Sequence, residues 1–154
     1  MKTKAAALAL TILLAAATGC GAATETSPAS ALEAPISISR GGGIAGTFYE
    51  TKIEPDGSGV YDEAEFTGAE IEPKGFEVGE AELDELAEIA AETPFEEIGE
   101  ARNPQCADCY AWTITYGDEE LSVDSSTLET GEPGEAAAPL IDALSEVGPS
   151  PDPS

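Results

Sequence analysis

Between Ile36 and Val147 the apolar residues recur first at every second position, then at helical spacing, then at every second position again and finally at helical spacing. That order confines the fold, because side chains repeat every two residues in a strand and every 3.6 in a helix. Ile36-Ser37-Ile38-Ser39 alternates, and Phe48 to Glu54 and Val60 to Thr67 are β-rich runs. The residues between those two runs, Pro55-Asp56-Gly57-Ser58-Gly59, favour a reversing turn, so they predict a hairpin.

Glu80 to Glu92 places Leu83, Leu86, Ala87 and Ala90 on one helical face, with Glu82, Asp84, Glu85 and Glu88 mostly on the others. An amphipathic helix with a solvated acidic face is expected there, stopped by Pro94 because the residue before a proline avoids the α region. A second strand pair follows, Tyr110 to Tyr116 and Leu121 to Asp124, turning at Gly117-Asp118. Trp112 and Ile114 share one of its faces with Tyr110 and Tyr116, and periodicity alone does not decide which face is the core. A last helix, roughly Glu135 to Glu146, presents Leu140, Ile141 and Leu144, and Pro139 places its start close to that residue. The expected class is α+β, an antiparallel sheet of about four to five strands covered by two helices.

The 112 residues from Ile36 to Val147 suffice for one domain with its own core and are too few for two. Residues 20–35, rich in Ala, Thr, Ser, Glu and Pro, have the composition of a flexible tether, and residues 148–154, with Pro149, Pro151 and Pro153, that of a disordered tail.

Ahead of the tether, Lys2 and Lys4 precede an apolar run from Ala5 to Ala17, and Ala17-Thr18-Gly19-Cys20 closes it with small residues before a cysteine. This resembles the lipobox of bacterial lipoproteins. The resemblance implies a signal peptide over residues 1–19, acylation of the Cys20 thiol, and a mature protein held on the extracytoplasmic side of the cell membrane. An ordinary secretory signal is the alternative. A membrane-spanning helix is disfavoured, since the apolar run falls short of the roughly 20 residues that cross the hydrocarbon. Acyl chains of palmitate length, at about 0.8 kcal/mol per buried methylene, would make the anchorage firm.

All 31 acidic residues lie beyond Cys20 and only Arg40, Lys52, Lys74 and Arg102 oppose them, a net charge of −27 for that part. Nucleic acid and anionic lipid head groups would be repelled, so neither is an expected direct partner. Solubility or a salty medium accounts for such a charge, and a partner with a cationic surface is the sharper alternative. A 15-residue coil spans roughly 20 Å, beyond the Debye length of about 8 Å, so a tethered acidic domain can stand clear of the membrane's own negative field.

Cys106 and Cys109 form a Cys-x-x-Cys pair. In an oxidising compartment a local disulfide is the favoured reading. Thiol-disulfide catalysis is the alternative, disfavoured because the pair leads into a strand pattern and encloses Asp108. No zinc or other metal site is expected, since the chain has no histidine and no second cysteine pair. Asp56, Ser58 and Asp62 do not fit the glycine and closing glutamate of a calcium loop.

Without histidine, Ser-His-Asp and Cys-His catalysis are excluded. Paired carboxylates could serve as acid and base, but so acidic a chain supplies such pairs by chance. Gly41-Gly42-Gly43 lacks the spacing of a phosphate-binding loop, so no cofactor is expected. The glycine run instead marks a connection needing positive φ or close backbone approach. Arg40 beside it either pairs with a neighbouring carboxylate or grips an anionic ligand, which makes Arg40, Gly41, Gly42 and Gly43 the candidate binding element.

The run from Ile36 to Gly46, with its Arg-Gly-Gly element, is similar to the N-terminal pattern of emfourin-like proteins and related small lipoprotein domains. The Leu83/Leu86 helix, the Asp108-x-Tyr110 strand entry and the closing Pro139-Leu140-Ile141-x-x-Leu144 helix extend the likeness over most of Ile36 to Val147. The resemblance implies a protease-binding role, inhibition of a secreted thermolysin-like metallopeptidase. The acyl anchor, the cysteine pair and the acidic load depart from that family, and no inhibitory residue carries over. The expected function is therefore a non-enzymatic, membrane-anchored binding module, with peptidase inhibition and redox chemistry as alternatives.

Overall fold

The computed structural model describes residues 32–44, 46–64 and 72–149. The signal segment, Cys20, most of the tether, residues 65–67 of the expected third strand and the tail from residue 150 lie outside the described residues. Seven strands form one sheet in the order β4-β3-β2-β1-β6-β7-β5. They are β1 (Ile36–Gly42), β2 (Thr47–Ile53), β3 (Ser58–Ala64), β4 (Lys74–Glu77), β5 (Glu100–Ala101), β6 (Tyr110–Tyr116) and β7 (Glu119–Asp124). Four helices accompany them: α1 (Glu80–Glu92), α2 (Phe95–Ile98), α3 (Ser125–Thr130) and α4 (Glu132–Val147).

The α+β class stands, but the sheet has more strands than the expected four or five and is mixed, because β5 runs parallel to β7. The two additional strands carry little local signal. In β4 the only large apolar residue is Phe76, whose ring lies over Gly59 of β3, in the space a Cβ there would fill. In β5 two residues are docked after α2, where Gly99 carbonyl accepts from the Ser122 amide at 2.8 Å. The two additional helices are a single turn, α2, and a short helix, α3, started by the Asp124 carboxylate, which accepts from the amides of Ser126 and Thr127.

Each of the five expected strands forms. The turn between β2 and β3 is tighter than expected, since Ser58 already belongs to β3 and the Gly57 amide donates to Glu54 carbonyl at 3.0 Å, with Gly57 at φ 88°. Helix α1 buries Leu83, Leu86, Ala87 and Ala90, the face its spacing predicts, and the Glu82 carboxylate accepts from the Gly79 amide at its start. Helix α4 departs from expectation. It begins at Glu132, so Pro139 lies inside it rather than at its start. Proline lacks an N–H and leaves Glu135 carbonyl without its helical donor; Ala137, Leu140, Ile141 and Leu144, all buried, hold the helix against the sheet regardless.

Alternation now decides which face is the core. Ile36, Ile38, Ile53, Ile114, Leu121 and Val123 point to the helices, and Trp112 and Tyr116 pack against the same cluster. Full burial of such a side chain contributes about 2 kcal/mol. Leu32, inside the segment read as tether, is 2 % exposed and belongs to this core, and Glu33 amide donates to the Tyr116 hydroxyl. The packed unit therefore starts before Ile36. On the opposite face Arg102 Nη2 donates to the hydroxyls of Thr113 and Ser122, at 2.7 and 3.1 Å, and covers β6 and β7. Among the described residues, no helix is long and apolar enough to cross a membrane.

Candidate functional site

The C-terminal end of α4 borders residues of β1, β2, β3 and β6 around a cleft. Register brings Arg40 of β1 opposite Tyr49 of β2 on one side and Trp112 of β6 on the other. Tyr61 of β3 lies opposite Thr51, and its ring stacks on Tyr49 with centroids 6.3 Å apart. These side chains, with Leu144, Ser145, Gly148 and Pro149 along the α4 rim, line a cleft of about 280 Å³. Gly148 and Pro149, read as tail, thus belong to the packed domain, Gly148 lying against the Thr51 side chain.

Arg40 is held by rings. Its guanidinium carbon lies 4.1 Å from the Tyr110 ring centre and 5.6 Å from that of Trp112. Such cation–π contacts stabilise a partly buried cation by about 1 kcal/mol or more. No carboxylate among the described residues forms an ion pair with it; the exposed pair Lys52–Glu54, at 2.7 Å, lies elsewhere. Arg40 Nε is closed to water and has no hydrogen-bond partner among the described residues, and the same is true of the Tyr61 hydroxyl. An orphaned buried donor ordinarily costs about 1–3 kcal/mol, so two of them lining one cleft call for an explanation. Burial of Tyr61, with the nearby Glu63 and Tyr49, pushes its phenol up to about 12.

Of the four residues read as a binding element, Arg40 alone lines the cleft. Gly42 and Gly43 serve Tyr110 instead. At φ 103° and 70° they bend the chain back so that Gly43 amide donates to Cys109 carbonyl and the Tyr110 ring fills the space beside Gly43. Gly41 faces Phe48 on the opposite side of the sheet. Cys106 and Cys109 are joined as a disulfide in the loop before β6, with Cα atoms 5.5 Å apart. The glycine run and the cysteine pair, far apart in sequence, therefore meet behind Tyr110.

Sequence reasoning passed over Tyr49 and Tyr61 as site residues. Each sits in a recognised strand, but only register shows that they share a face with Arg40. Among the described residues no group of three or more Cys, Asp or Glu is placed to hold a metal ion. In comparisons with known proteins, no family model and no curated protein matches the chain.

Proposed function

We propose that this chain is a binding module tethered to the extracytoplasmic side of the cell membrane through Cys20, acting without covalent chemistry, with the Arg40 cleft as its binding site. The observation that carries the site is the pair of unpartnered donors, Arg40 Nε and the Tyr61 hydroxyl, on residues lining one aromatic cleft. The anchor rests on the Ala17 to Cys20 run.

Two measurements test this reading. Mass spectrometry of the membrane-derived protein is expected to show an acylated Cys20 as first residue, and Cys20→Ala to move the protein out of the membrane fraction. A pull-down from membranes with the full chain is expected to retain a partner or ligand that Arg40→Gln loses. A mature species without acyl groups, or no retained molecule, counts against the respective half.

A second reading, inhibition of a thermolysin-like metallopeptidase, draws support from the β1–β2 tip, where Ile44 is 92 % exposed. An apolar side chain on a tight, glycine-built hairpin has the shape to enter an enzyme groove. Undiminished peptidase activity on titration with the chain would remove it.

A further inference from the structure

We infer that the Arg40 cleft takes a small monocarboxylate carried on a flat apolar body, the carboxylate meeting the Arg40 guanidinium and the body lying among the rings that line the cleft, with the Tyr61 hydroxyl as a second donor toward the ligand. This deepens the binding-module reading and rests on it.

The donor set points to an anion. Both orphaned groups are donors toward a ligand, and the guanidinium fork matches the two oxygens of a carboxylate. The ring faces of Tyr110 and Trp112 already hold the guanidinium, which leaves its N–H edges, not its π faces, for a ligand. A cationic ligand would meet Arg40 head on. A single charge fits better than a dianion, because one guanidinium stands in a chain part of net charge −27 and every further negative charge on the ligand adds to the repulsion. The apolar walls set the rest of the molecule. Ile38, Leu144 and Pro149 join the rings around the cleft, and about 280 Å³ sits at the small end of ligand pockets. Both donors are unpartnered, so a ligand acceptor that reaches them relieves two unmet hydrogen bonds.

Trp112 is the only tryptophan, so its fluorescence reports on the cleft alone. The full chain in non-ionic detergent is titrated with 3-phenylpropionate, its amide, the matched 3-phenylpropylammonium ion and phenyl phosphate. Saturable change is expected with the carboxylate, at an affinity about tenfold or more above the amide and the dianion, and none with the ammonium ion. Arg40→Gln is expected to abolish it. Tyr61→Phe is expected to weaken binding about fivefold with the unfolding midpoint unchanged or raised, which loss of folding could not produce. Amide or ammonium binding equal to the carboxylate overturns the inferred class, and phenyl phosphate binding more tightly overturns the single charge. If none of the four binds, the inference falls; retention of a membrane partner that Arg40→Gln loses would then still uphold the module reading, and no retention would sink both.

Discussion

The carbonyl oxygen of Cys109 lies 2.5 Å from the point where a Cβ on Gly42 would stand. The β1–β2 connection and the disulfide loop are therefore pressed together backbone to backbone, and that contact seats Tyr110 behind Arg40. The site's cation owes its position to a glycine two residues further along β1.

Gly42→Ala should destabilise the fold by about 2–3 kcal/mol, since φ 103° is strained for any side chain and the opposing atom is main chain. Urea unfolding measures it. Gly43→Ala meets the Tyr110 ring instead, so its signature is a displaced ring and weaker ligand response at Trp112.

Tyr61 should titrate above the ordinary tyrosine value near 10. Its phenol is pushed up to about 12, so the protonated form is favoured in the folded state. The sign follows: the contribution is complete below the ordinary tyrosine value near 10 and is lost as pH rises toward 12. An ultraviolet pH titration should show one delayed phenol, absent in Tyr61→Phe.

Asp124 is 3 % exposed, and burial works to raise its pKa, but hydrogen bonds from Ser126, Asn103 and Thr127 outweigh it and hold the carboxyl below its ordinary value. Its stabilisation is present above the unfolded carboxylate value near 3.8 and is lost as pH falls through the lower folded value. Asp124→Ala should cost about 2 kcal/mol near neutrality, measured by denaturation, and flatten the acid limb of the stability profile.

Pro139→Ala should raise stability by about 2 kcal/mol, because the position lies inside α4, is exposed, and regains a helical N–H for Glu135 carbonyl. A higher urea midpoint at unchanged slope is the expected result. Had α4 begun at residue 139, the substitution would be near neutral or unfavourable.

Leu32→Ala should cost about 2–4 kcal/mol, as for any buried leucine. A residue of a free tether would cost nothing, so thermal unfolding of this variant tests whether Leu32 belongs to the packed core.

What the amino-acid order determined by itself is local. Leu83, Leu86, Ala87 and Ala90 repeat at helical spacing, and Ile36 and Ile38 at strand spacing, so faces and element types can be read from neighbours a turn or a pleat away. Arg40 stood out as one of few cations beside a glycine run. Tertiary structure decided the rest. The short strands β4 and β5 exist because β3 and β7 offer them unpaired edges, Pro139 is tolerated because its helix is held by burial, and Leu32 is core because it joins the buried cluster while the next residue's amide, that of Glu33, donates to the Tyr116 hydroxyl. The cleft is wholly non-local: Arg40, Tyr49, Tyr61 and Trp112 come from four strands, and only strand register, fixed by pairing across the whole sheet, sets their side chains on one face.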